Sequence, residues 1–359
     1  MAITIEKIYW LPRLKTIWTN FYESNSSLSI FQSYEFMFNF WNNSWIYCLT
    51  HKEIPIFYLI RNDGIPCMIA PLCKKATGIY EIMGNKNGCE YCDFIYAATT
   101  PIEIYVRALT AHLRCPISFV KVKVQSSLYF SFSCKEKVKE CGEMVCTNIA
   151  LPESYENYYK ELSSSTRQNL RTAFNRLKRD GRHVCLKVIT NGGMWKTWNY
   201  EKIESIQSTQ IEFCDLQQNS SLTDSDFAKM LSLYYQRHKE RYGENTSKLK
   251  IWYMKHLNFM TKSLRYMRSA MSVMLFIDNE LAAFLSGLKS HGEKDFIVPR
   301  LSINGKYGFY SPGMLLVNET ARYMITQTTN RNLDLSLGTE TYKSKMGGGK
   351  FIIKSFIIS

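Results

Sequence analysis

The chain has 359 residues, with 45 Lys and Arg against 31 Asp and Glu, a formal charge of +14, and 45% apolar and 14% aromatic residues. That length supplies core for two domains or one large one, and the composition excludes a disordered chain and favours sheets with a packed interior. The positive balance points to an anionic partner: a nucleic acid, a membrane surface or a phosphorylated small molecule.

The opening MAITIEKIYWLPRLK lacks an apolar core followed by a small-residue cleavage site, and no apolar stretch is long enough to span a bilayer. The 11 scattered cysteines therefore read as reduced thiols of a cytoplasmic protein. Cys89-Glu90-Tyr91-Cys92 has no second pair and no nearby His, so it reads as two small residues flanking a strand, not as a zinc site.

In chain order, Ile54–Ile60 and Ile65–Leu72 are β-rich runs around Arg61-Asn62-Asp63-Gly64, which predicts a hairpin. Short strands are expected at Ile79–Ile82 and Asp93–Tyr96. A helix follows, IEIYVRALTAHL after Thr100-Pro101, and then a strand over Ile117–Val124. The same order returns downstream. Met271–Ile277 and Leu281–Leu288 flank Asp278-Asn279-Glu280, Asp295–Ile303 is β-rich, GMLLVNETARYMI follows Ser311-Pro312, and Leu333–Leu337 closes the set. A hydroxyl residue is expected to cap each helix, with Pro at its first position. Val317, Ala321, Met324 and Ile325 recur at helical spacing. Two copies of one order predict a duplicated α/β unit, not a short-period solenoid.

Between the copies the pattern is helical. In Thr166–Arg182, Leu170, Ala173, Phe174 and Leu177 form an apolar stripe, basic residues fill much of the rest, and Gly181 suits the helix end. Arg167 and Arg171 lie one turn apart and form a candidate phosphate clamp, against the alternative of a solvated basic face. A further helix over Asp224–Tyr242 carries His238 and Arg241, and a lone His there reads as structural.

Leu333-Asp334-Leu335-Ser336-Leu337-Gly338-Thr339-Glu340-Thr341-Tyr342-Lys343 after a Pro-started helix resembles the GNAT-type acyltransferases of the cellulose-biosynthesis, polysaccharide-modifying group. Phe31–Trp41 (FQSYEFMFNFW), Gly84–Phe94 (GNKNGCEYCDF) and LPESYENYYKELSSSTRQNLR extend the likeness in the same order over most of the chain. The resemblance implies an α/β fold of two tandem GNAT-like domains, each a mixed, mostly antiparallel sheet flanked by helices. The boundaries expected are 1–150 and an acyl-CoA-binding 151–359. Within the group the chain is similar to N-acyltransferases acting on nucleotide-linked, foremost dTDP-linked, 4-amino-4,6-dideoxy sugars used in cell-surface polysaccharide synthesis. One departure is clear: the single-domain phosphate loop Gln/Arg-x-x-Gly-x-Gly/Ala is replaced by Tyr310-Ser311-Pro312-Gly313-Met314.

An amine attacking a thioester must lose a proton to a base, and the thioester oxygen needs a fixed donor. Neither a metal nor a redox cofactor is called for. The resemblance places Asp93 as base, with an apolar setting to raise its pKa, Glu340 as its partner and Tyr342 as proton donor or acyl-pocket wall. Tyr310, Ser311, Gly313 and Met314 at the helix start, with Lys343, are expected to hold the acyl-CoA pyrophosphate. Lys306 and Lys345 lie near the same helix in sequence and are further candidates to pair with phosphates. Tyr91, Arg167 and Arg171 are expected at the acceptor. Two alternatives stand beside this reading. One is an aminoacyl-tRNA-dependent transferase acting on a peptidoglycan precursor, with Arg167–Arg182 against RNA. The other is a non-catalytic RNA-binding protein, against which stands the lack of RNP-like or KH signatures.

Overall fold

The structure, a computed structural model, describes residues 2–42, 54–85, 88–132, 138–190, 222–243, 257, 260–290, 295–329 and 331–359. Its elements run β1 (Ile3–Ile8), α1 (Lys15–Ser24), α2 (Tyr34–Asn42), β2 (Ile54–Asn62), β3 (Ile65–Lys74), β4 (Tyr80–Ile82), β5 (Ile95–Tyr96), α3 (Ile102–Leu113), β6 (Ile117–Lys123), α4 (Ser127–Phe132) and β7 (Val138–Ala150). They continue with α5 (Tyr155–Glu161), α6 (Ser164–Arg179), β8 (Val184–Thr190), α7 (Asp224–Tyr242), β9 (Ala270–Ile277), β10 (Glu280–Lys289), β11 (Asp295–Ile303), α8 (Pro312–Gln327), β12 (Asn332–Leu337), α9 (Thr341–Lys345) and β13 (Gly349–Ile358). Packing divides the chain into two compact units, Met1–Cys146 with Phe351–Ser359, and Thr147–Lys350. The boundary expected at 150 thus meets a chain that changes unit within β7. The last nine residues, expected in the second unit, belong to the first because β13 pairs antiparallel with β6, Ile358 opposite Ile117.

In the first unit the strands run β1-β2-β3-β4-β6-β13. Asp63 and Gly64 both take positive φ (47° and 80°), the tight turn that matches strand twist and that Asp-Gly favours. β4 and β5 are successive partners of the same strand: Leu72 opposes Ile82, and Met68 opposes Tyr96. The strand is therefore interrupted by an excursion over 83–94. α3 starts at Ile102 with Pro101 itself at the cap, one place later than the expected hydroxyl-capped start.

The second unit orders its strands β12-β11-β10-β9-β8. β8 to β11 pair antiparallel, and only β11–β12 among these is parallel. All eight residues of β9 are buried, as its unbroken apolar run requires of a strand covered on both faces. α8 packs Leu315, Val317, Ala321 and Met324 into the core, and α6 adds Leu170, Ala173 and Leu177. The second hairpin turns on Asp278 and Asn279, φ 51° and 65°. Each unit thus carries hairpin, strand, helix and parallel strand in the same order. No disulfide joins cysteines among the described residues, and no described helix is long and apolar enough to cross a membrane.

Candidate active site

The site begins with a parallel pair that does not stay paired. β11 and β12 match only at Asp295–Asn332, Phe296–Leu333 and Ile297–Asp334, after which β11 runs on beside β10 alone. The residues explain the parting. In β11, Pro299 has no N–H to offer and sits at a bulge opposite Gly287. A Cβ on Gly287 would meet the Phe296 ring at 2.8 Å, so only glycine fits that close approach. In β12, the Asp334 carboxylate accepts the Ser336 N–H at 2.8 Å and holds Ser336 at φ 56°; Gly338 follows at φ 110°. Both turns take β12 off its ladder.

A cavity of about 630 Å3 occupies this region of the second unit, in the usual range for small-molecule sites. Leu301, Ser302 and Ile303 of β11 line it. Side chains alternate along a strand. Leu301 and Ile303 pack toward the core cluster that includes α8, while Ser302 lies opposite Phe284, whose ring meets Tyr234 of α7 at 6.5 Å. The cavity therefore reaches both faces of β11. Gly308, Ser311, Pro312, Gly313 and Met314 form one wall; Tyr234, Arg237, His238 and Glu240 of α7 form another; Glu340 and Tyr342 complete it.

One wall is the start of α8. Ser311 is the N-cap but does not cap with its hydroxyl: it lies at φ 51°, and its carbonyl accepts the N–H groups of Met314 and Leu315 at 3.1 and 3.2 Å. Pro312 takes the first helical position, as expected, and has no N–H. The amide of Gly313 lies at the positive end of the helix dipole. A Cβ on Gly313 would stand 3.1 Å from the Ile303 side chain, so a larger residue there would need that side chain to give way.

Of the expected catalytic residues, Glu340 and Tyr342 line this cavity. The Glu340 side chain folds back over Gly338, its carboxyl carbon 2.9 Å from where a Cβ would stand, and pairs with Lys343 at 3.1 Å. Burial, then the Glu340 charge, pushes the Tyr342 phenol well above its usual range and keeps it protonated. Asp93 is in the first unit. Its Oδ1 accepts the Phe94 N–H at 2.7 Å; its Oδ2 accepts from Ser126 at 2.6 Å and Tyr96 at 3.5 Å. Burial pushes this carboxyl up to about 7 against those three hydrogen bonds. It ends the 83–94 excursion, which is pinned to β6 by Cys92 N–H to Lys121 O and Lys121 Nζ to Cys89 O, both 3.0 Å. Cys89 and Cys92 lie buried, sulfurs 3.6 Å apart.

Of the residues expected to hold a donor, Ser311, Gly313 and Met314 line the cavity; Lys343 and Tyr310 do not. Lys343 is buried, and its ammonium uses all three donors internally, on Leu335 O at 2.9 Å, Leu337 O at 2.5 Å and Glu340. It straps α9 to the end of β12 and has no donor left for a phosphate. Lys343→Met should cost about 1–3 kcal/mol by stranding two carbonyls, read as a lowered denaturation midpoint. An unchanged midpoint would return Lys343 to ligand duty. The Tyr310 hydroxyl donates to Asp180 at 2.9 Å and accepts from Arg182 at 3.2 Å. Lys306 pairs with Glu280.

The expected acceptor residues are engaged elsewhere. Arg167 donates to Lys160 O at 2.7 Å and to Leu162 O, closing the end of α5, while Arg171 holds Gln168 at 3.1 Å. They make no joint clamp. Tyr91 is buried in the first unit under the Lys123 ammonium, 4.2 Å from its ring. Sequence patterning does not single out Tyr234 and reads His238 as structural, yet both line the cavity. Their i, i+4 spacing puts both on one helix face, and the proline inside the β11 run marks the bulge that opens the cavity.

The fold of the chain is that of two tandem GNAT-like domains, and residues 215–344 match the Acetyltransferase (GNAT) domain family. Among solved structures, FemX superposes with a TM-score of 0.59 at 9% identity over 99% of this chain and 97% of that one. A tandem GNAT protein from the clavulanic acid biosynthesis pathway gives 0.54 at 10%, over 100% and 98%. A conserved protein of unknown function from Bacteroides thetaiotaomicron gives 0.54 at 12%, over 99% of each chain. At such identities the likeness is one of fold. No curated protein matches the sequence.

Proposed function

We propose that the protein is an N-acyltransferase that takes its acyl group from acyl-CoA, with the donor in the second unit. The observation that carries this is the cavity on both faces of β11, which has the α8 N-terminus on one side and α7 on the other. Gly313 and the α8 dipole would hold the donor's pyrophosphate. Leu301, Ile303 and Met314 would line its pantetheine arm, and the edge of β11 that parts from β12 would face the thioester oxygen. Glu340 and Tyr342 would flank the reacting carbon, Tyr342 with a proton to give to the leaving thiolate. For the acceptor we propose the amine of a nucleotide-linked 4-amino-4,6-dideoxy sugar. The charge of +14 suits two polyphosphate ligands.

One observation favours a second donor, aminoacyl-tRNA. Arg176 of α6 stacks on the exposed Phe309 ring at 4.2 Å and donates to its carbonyl at 2.8 Å, beside the cavity residue Gly308. Such a basic, aromatic ledge suits an RNA backbone. Thermal unfolding with CoA, dTDP, UDP and tRNA separates the two. At a hundred times Kd a ligand adds about 2.7 kcal/mol. Stabilisation by CoA and a nucleoside diphosphate is expected; stabilisation by tRNA without CoA would replace the donor proposed here.

A further inference from the structure

We infer that His238 is the proton acceptor for the nucleophile. This rests on the acyl-transfer reading above. The imidazole lies in the cavity wall on α7, on the Ser302 side of β11, across the strand from Leu301, Ile303 and the α8 terminus. A nucleophile arriving past α7 therefore meets the ring before it meets a thioester laid along the other side.

The ring is held by packing. It makes an edge contact with Tyr234, centroids 4.7 Å apart and planes at 65°. Tyr234 is itself fixed against Phe284 at 6.5 Å and under the Arg300 guanidinium at 5.7 Å. The other ionisable groups of the cavity have different work. Glu340 is paired with Lys343. Glu240 accepts from Gln236 at 3.1 Å and Arg237 at 3.3 Å. The Tyr342 phenol stays protonated. Imidazole alone among them ordinarily changes charge near neutrality, as a base in a reaction at that pH must. Arg237, Glu240 and Glu340 share the cavity lining with the ring, and Arg300 lies against Tyr234.

The step balances. The amine nitrogen forms a bond to the thioester carbon, the C–S bond breaks, and sulfur leaves with the electron pair. His238 takes the nitrogen's proton, and the thiolate takes one from Tyr342 or from the imidazolium. Amide and thiol are the products. With water as nucleophile the same steps give acid and thiol, which allows a test without the acceptor.

The intact protein is given acetyl-CoA alone, thioester loss is followed by chromatography from pH 5.5 to 9, and CoA binding is measured by calorimetry. Wild type should hydrolyse acetyl-CoA above the solvent rate, with an inflection within about one unit of 6.5. His238→Gln should fall about a hundredfold and lose the inflection while its CoA Kd stays within about twofold. A variant that keeps rate and inflection, or a CoA-binding wild type with no hydrolysis or no inflection, overturns the role of His238 and leaves the donor reading in place. A wild type that binds no CoA removes the donor reading, and this inference with it.

Discussion

Gly313→Asp should abolish acyl-CoA binding without unfolding the protein. The amide of Gly313 is the donor left at the start of α8, since Pro312 has none and those of Met314 and Leu315 turn back to Ser311. A carboxylate there would face the pyrophosphate at close range, where like charges cost several kcal/mol. A fall of at least about a hundredfold in affinity is expected, or roughly 2.7 kcal/mol. The free protein should feel the change quite differently. An acidic residue in the first turn of a helix is worth about 0.3–1 kcal/mol of stability. That gain offsets the small shift Ile303 must make to admit a Cβ 3.1 Å away. Calorimetric titration with CoA, beside a melting curve, reads both quantities. Gly313→Ala supplies the steric control and should lose far less affinity. If Gly313→Asp binds CoA as wild type does, the polyphosphate lies elsewhere.

Much of this architecture was legible in the residues because it is local. Asp63-Gly64 and Pro312 announce a turn and a helix start through their own backbone preferences, and the repeated order of elements exposed the duplication. What escaped is non-local. The fate of β13 depends on a partner more than two hundred residues earlier, which no local pattern records. Lys343 reads as a phosphate ligand in sequence, yet β12 ends at a distance that lets its ammonium reach two main-chain carbonyls. His238 reads as structural because a single imidazole on a helix has no signature, and its place in the cavity lining depends on β11, which is distant in sequence. In the first unit, Asp93 is expected as a base after a glycine-containing segment, and sequence does not show that its carboxylate accepts from Ser126, Tyr96 and the Phe94 amide.

That difference makes Asp93→Asn decisive. The carboxyl has an ordinary value of 3.8 and is raised by burial to about 7 in the folded chain. Below pH 4 both states hold the proton, and ionisation costs the fold nothing. As pH rises past 3.8 the unfolded chain releases its proton while the folded chain keeps it, so stability falls from there to about pH 7 and is level above. Three pK units at 1.36 kcal/mol each give a loss of about 4 kcal/mol, an upper figure because opening of the site would let the ionised group be hydrated. Asparagine cannot ionise. It can still accept from the Phe94 amide and can donate to Ser126. Asp93→Asn should therefore gain stability over wild type at pH 8, match it near pH 4, and flatten the curve between, as read by urea unfolding at each pH. A base role makes a separate demand: turnover should collapse at every pH while stability changes in the same way. Retained turnover with a flattened stability curve identifies Asp93 as the buried anchor of the 83–94 excursion. A curve that stays steep in the variant assigns the pH dependence to another group.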